Sequence, residues 1–134
     1  KNKAHWQNTS GVRQHWAHEI KTQGIAAITE QVLNQLAQNN IDEIYVSFDI
    51  DAIDDSYASA TGTPEPDGLS PEEAMYLLKS IQARYPITGA DMMEVAPFTD
   101  STGVGIEGRE QTLAVAAQLS AFLLQALTQS ASKE

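Results

Sequence analysis

The seven residues "IYVSFDI", positions 44–50, constrain the fold more than any other stretch of the chain. They are rich in β-branched and aromatic side chains and apolar at both parities, which predicts a strand covered on both faces. Such a strand belongs to a parallel sheet, and parallel neighbours need crossover connections, usually helices. The flanking sequence supplies them. Over residues 19–40, Ile25, Ile28, Val32, Leu33 and Leu36 keep the three-four spacing of one helical face, and Asn39-Asn40 form a stop. Ser70-Pro71-Glu72-Glu73 combines an N-cap, a proline at the first helical position and a capping-box glutamate. It predicts a helix ending near Tyr85, ahead of Pro86, with Ala74, Leu77, Leu78 and Ile81 turned inward. "ITGADMMEV", residues 87–95, predicts a second strand, and residues 110–129 a long helix apolar over much of its circumference. Residues 12–17 read as a short strand, with Trp6 and Trp16 as packing residues. Helix, strand, helix, strand, helix is an α/β pattern.

A chain of 134 residues suffices for one domain with a real core, and 42% hydrophobic with 19% charged residues matches a soluble globular protein. No apolar stretch reaches the roughly 18–20 residues that span a bilayer, and "KNKAHWQNTS" lacks the apolar centre of a signal peptide. The expectation is a cytoplasmic protein without a membrane partner. Eight basic against eighteen acidic side chains give a net charge of −10, whose field repels phosphate backbones and argues against nucleic acid. The absence of cysteine excludes disulfides, thiolate metal sites and cysteine nucleophiles. The sequence starts at Lys1 without an initiator methionine, as a piece of a longer protein would.

The first strand runs straight into Asp49, Asp51, Asp54 and Asp55. Burying even one unpaired carboxylate costs several kcal/mol, so the cluster calls for a metal, a basic partner or water. Asp49 and Asp51 are two apart, which on an extended chain directs both to one face, at the strand end where open α/β sheets bind ligands. Such a pair can bridge one divalent ion and chelate a second. The competing reading has Asp54 and Asp55 capping a turn and Asp49 and Asp51 merely solvated. An EF-hand fails on spacing: counted from Asp49, the sixth position is Asp54 where glycine belongs and the twelfth is Ala60 where glutamate belongs. A haloacid-dehalogenase-type phosphatase also ends a core strand in two aspartates around Mg²⁺, but that motif continues Gly-Thr or Gly-Val, and here Ala52-Ile53 follows. His5, His15 and His18 lack the i, i+4 spacing of a helical metal pair and read as surface histidines. Met75, Met92 and Met93 read as core filling.

"SFDIDAIDDSYASATGTPEPDGLS" resembles the signature of the ureohydrolases, the arginase, agmatinase and formimidoylglutamase family, which runs Ser-Phe-Asp-x-Asp-x-x-Asp-Pro and then Gly-Thr-Gly-Thr-Pro and Gly-Gly-Leu. "MEVAPFTD", residues 93–100, resembles the family's second landmark, Glu-Val-Asn-Pro or Glu-Val-Ala-Pro. Asp55 stands where proline is usual, Ala60-Thr61 where Gly-Thr is commoner, and Asp67 in place of the first glycine of the pair. The resemblance implies that residues 1–134 are the C-terminal portion of a three-layer αβα arginase-like fold with a mainly parallel sheet, the upstream half with its histidine ligands and catalytic histidine being absent. It implies a parent hydrolase that uses two Mn²⁺ ions to attack a guanidino or amidino carbon of a small-molecule guanidino or formimino substrate, in a homo-oligomer, trimer or hexamer. It gives Asp49 and Asp51 as metal ligands, Glu94 as the partner of the substrate cation and Thr63 as a lining residue. The fragment alone is expected to be inactive, no catalytic residue being assured in it. The alternative from another class is a non-catalytic binding or scaffold piece.

Overall fold

The computed structural model describes residues 2–98 and 105–131. The chain runs α1 (Lys3–Ser10), α2 (Ala17–Gln23), α3 (Ile25–Gln38), β1 (Ile44–Asp49), α4 (Pro71–Gln82), β2 (Ile87–Met93) and α5 (Ile106–Ala131). The strands β1 and β2 pair in parallel, with Val46 opposite Ala90, Ser47 opposite Asp91 and Asp49 opposite Met93, so β1–α4–β2 is the expected crossover unit. α5 packs on β2, α3 on α4 and α2 on α3.

Pleating sorts the pair into two faces. Phe48 is buried, and Val46, Ala90 and Met92 pack with it against a core that includes Leu78, Leu119 and Leu123. The odd positions Tyr45, Ser47 and Asp49 are exposed, so among the described residues the strand expected to be covered on both sides has one covered face. On that open face Tyr45 Oη and Ser47 Oγ each donate to Asp91 at 2.8 Å, and the bond from Tyr45 raises the tyrosine pKa because it stabilises the neutral phenol beside a carboxylate.

Several boundaries differ from expectation, each for a local reason. The helix predicted over 19–40 is two helices broken at Gly24, whose φ of 85° no helical residue adopts. No strand forms over 12–17; residues 11–16 are irregular, Ala17 opens α2, and the helix α1 precedes them. Trp6 and Trp16 are 37% and 51% exposed where packing was expected, Trp16 lying under the Lys3 ammonium at 5.6 Å. The capping box of α4 is formed as predicted, with Glu73 N donating to Ser70 Oγ at 3.1 Å and Ser70 N to Glu73 Oε2 at 2.9 Å. Met75 and Met92 fill the core margin, but Met93 is exposed. Contrary to expectation, α5 is long and apolar enough, by length and composition, to cross a membrane, its polar residues being interspersed among apolar ones; Leu119, Leu123 and Ala126 are nevertheless buried in the protein.

Candidate active site at the carboxyl end of the parallel pair

β1 delivers Asp49 at its last residue. The strand then stops. Ile50 and Ile53, both fully buried, draw the chain into one 3-10 turn over Ile50–Ala52, and Asp51 lies within it. Strand periodicity therefore does not align the two carboxylates, as the two-residue spacing had suggested. A hydrogen bond links them instead: Asp51 N donates to Asp49 Oδ1 at 3.0 Å.

Asp51 is held from the far side of the loop. Thr61 Oγ1 donates to its Oδ1 and Thr63 Oγ1 to its Oδ2, so one short turn grips both oxygens. Thr61 is fully buried. The turn is itself anchored to α5, since Ala60 N donates to Thr112 Oγ1 at 3.0 Å and Thr112 Oγ1 to Gly108 O at 2.8 Å. The outer loop is pinned at its base, where Leu69 N donates to Ala52 O and Asp54 N to Leu69 O, both at 2.9 Å. Asp54 caps the turn as its type suggests: its carboxylate accepts from the Ser56 hydroxyl and from Ser56 N, and these bonds hold its pKa below the ordinary 3.8. Asp55 is exposed, with its N–H donating to Glu65 O at 3.1 Å.

Glu94 follows β2 with φ of 62°, a left-handed backbone that costs a non-glycine residue on the order of 1 kcal/mol. Its neighbourhood is the same turn. Ala96 N donates to Ala60 O at 3.1 Å, and a Cβ built on Gly62 would lie 3.6 Å from Glu94 Oε2. Glu94 and Thr63 are both exposed, open to an incoming molecule. The landmark "MEVAPFTD" ends in Thr99 and Asp100, which lie outside the described residues.

The structure thus brings Asp51 and Glu94 around residues 61–63, with Asp49 adjoining, and Thr61, which the sequence offers only as one of two hydroxyls able to face a pocket, binds Asp51. Its signal was present, a hydroxyl at every second residue of "TGT". The histidines lie elsewhere. His5 makes an edge contact with Trp6 and His18 with Trp16, and burial lowers the pKa of His15, the cost of desolvating its charged form outweighing the attraction of Glu19. Among the described residues no three His, Asp or Glu side chains converge. The donor chemistry of the two aspartates still suits a hard divalent cation such as Mn²⁺. A carboxylate offers about four lone-pair sites, and the two threonine bonds leave Asp51 with acceptor capacity on both oxygens.

Fold and site together define an α/β protein with a group of carboxylates at the carboxyl end of its parallel strands. A model of the arginase family matches residues 1–125, and the chain belongs to that family. It is 34% identical over 114 residues to arginase-1 of Oryctolagus cuniculus, an alignment that covers 85% of this chain and 35% of the relative. Over 60 residues, 45% of this chain and 17% of the relative, it is 47% identical to the mitochondrial guanidino acid hydrolase of Homo sapiens. The solved proclavaminate amidino hydrolase of Streptomyces clavuligerus superposes with a TM-score of 0.74 at 28% identity, covering 97% of this chain and 40% of that one. The chain therefore spans about a third of the length of the arginase it matches. The phosphatase reading has no support in this family.

Proposed function

We propose that this chain supplies the carboxylate wall of a manganese-dependent hydrolase that cleaves a C–N bond of a small guanidino or amidino compound, as the C-terminal portion of a longer ureohydrolase domain in a homo-oligomer. The observation that carries the reading is that the turn at residues 60–63 binds a carboxylate with the chemistry of a metal ligand, Asp51, and, through the bond from Ala96 N to Ala60 O, lies beside the segment that carries the exposed carboxylate of Glu94. Two of the relatives carry a guanidino or amidino group in their names, which supports this reading.

In this reading Asp49 and Asp51 hold the metal, which when bound supplies Lewis acidity and a water acidified toward neutrality. Glu94 accepts two parallel hydrogen bonds from the planar cation, and this fork fixes the plane and the approach of the group to be cleaved. Thr61 and Thr63 keep the Asp51 carboxylate from rotating, and Thr63, exposed at the same edge, lines the substrate side. Addition of water across the C–N bond releases an amine and urea from a guanidino compound, or formamide from a formimino compound. The imidazoles that complete such a site are supplied from outside this chain's described residues.

Glu94→Gln in the full-length protein is the test. Loss of a charge-assisted pair to the substrate cation should cost about 2 kcal/mol or more, roughly thirtyfold in kcat/KM, with manganese content unchanged. Full activity would remove Glu94 from the site, and lost manganese would make it a ligand.

A further inference from the structure

The core-facing stripe of α5 contains one residue out of character. Val115, Ala116, Leu119, Leu123 and Ala126 are the apolar side chains that the helix turns inward, and Thr112, fully buried, continues their stripe by one turn toward the N-terminus. A buried hydroxyl costs free energy unless it is hydrogen-bonded. The one hydrogen of Thr112 is spent inside the helix, on Gly108 O at 2.8 Å, so toward the rest of the protein its oxygen can only accept. It accepts from Ala60 N at 3.0 Å.

Ala60, itself buried, is bonded on both sides. Its N–H goes to α5, and its carbonyl accepts from Ala96 N at 3.1 Å, two residues past Glu94. Thr61, next in the chain, and Thr63 donate to the two oxygens of Asp51. One residue therefore joins the helix, the clamp on Asp51 and the segment that carries Glu94. The base of the same loop has no slack, since a Cβ on Gly68 would fall 2.5 Å from Asp54 N. We infer that Thr112 is a positioning residue, which through the Ala60 N–H sets the placement of Asp51 relative to Glu94. The inference rests on the roles proposed for those two carboxylates. It is specific to the hydroxyl oxygen. Valine at position 112 keeps the volume but leaves the Ala60 N–H buried without that acceptor, and a turn that shifts to find another carries Thr61 and Thr63 with it. A displacement of about 1 Å between groups that act on one substrate costs up to about a hundredfold in rate. Serine keeps the oxygen and gives up a methyl group, which is felt in packing. Both variants cost stability, and valine alone removes the acceptor.

The test compares Thr112→Val, Thr112→Ser and Asp51→Ala in the full-length protein. Mn²⁺ affinity is measured by calorimetry, and kcat and KM on whichever of arginine, agmatine, guanidinobutyrate and formiminoglutamate the wild type turns over fastest. Hydrogen exchange reports the Ala60 N–H of the wild type. Thr112→Val is expected to lower kcat by about tenfold with KM changed by less than about threefold, and to weaken Mn²⁺ binding by about fivefold. Thr112→Ser should stay within about twofold of the wild type in kcat and in Mn²⁺ affinity, and the Ala60 amide should exchange as slowly as those of the buried stripe of α5. A valine variant with wild-type kcat and Mn²⁺ affinity, or a serine variant that loses as much as valine, overturns the inference. So does fast exchange at Ala60, whether or not the valine variant folds. If Asp51→Ala loses Mn²⁺ while Thr112→Val is unaffected, the inference alone fails. If Asp51→Ala keeps wild-type Mn²⁺ affinity, or the wild type turns over none of the four compounds, the proposed function fails and the inference with it.

Discussion

Replacing Thr61 by valine removes one hydroxyl and almost no volume, at a fully buried position whose hydroxyl bonds to Asp51. A hydrogen bond to a charged acceptor contributes about 1.5–3 kcal/mol, and because Asp51 is half-buried and keeps its bond from Thr63, about 1–2 kcal/mol is expected here. With a urea slope of about 2 kcal/mol/M, the middle of the range for small proteins, the denaturation midpoint should fall by about 0.5–1 M. Midpoint alone does not separate the lost bond from altered packing. The double-mutant cycle with Asp51→Ala does, since residues in direct contact couple while independent ones add. A coupling of about 1 kcal/mol between Thr61→Val and Asp51→Ala is expected. Additivity within about 0.3 kcal/mol would refute the claim that Thr61 holds Asp51.

Glu94→Gly should raise stability by about 0.5–1 kcal/mol, because glycine adopts φ of 62° without strain, while abolishing the proposed substrate pairing; a less stable variant in thermal unfolding would show that the backbone there is not strained. Gly68→Ala should lower stability by several kcal/mol, on the order of 3, through collision with backbone atoms, and near-wild-type unfolding would contradict the packing described. The Asp54 pKa is depressed in the fold, so its contribution is complete above the ordinary 3.8 and is lost as pH falls through that value toward the lower folded pKa. Asp54→Asn should therefore flatten the pH dependence of the urea midpoint below about pH 4, a change that parallel curves for variant and wild type would exclude. The chain by itself, with two aspartates for about six coordination positions, should bind Mn²⁺ only weakly in calorimetry; submicromolar binding of two ions would refute the ligand assignment.

From α3 onward the sequence by itself determined the element types and their order, because β-branched runs, a three-four apolar spacing and a complete capping box are local signals, and the α4 start was legible to the residue. It also placed Asp49 at the end of the first strand, since a strand ending in aspartate before a Gly/Thr/Pro turn is a local pattern. What it misread were points where one residue or a distant contact decides. Gly24 broke a continuous amphipathic pattern through a backbone angle that composition does not display, and the exposed Tyr45, Ser47 and Asp49 show that alternation within an apolar run is resolved only by what covers each face. Tertiary structure alone decided how Asp51 is aimed. Spacing suggested strand pleating, yet the burial of Ile50 and Ile53 folds a turn there, and hydroxyls ten and twelve residues away set the carboxylate. The bond from Ala96 N to Ala60 O is likewise a contact between a loop and the segment after another strand. Side-chain direction at a site is fixed by bonds and packing across the fold, and such long-range geometry leaves no periodicity in the chain to read.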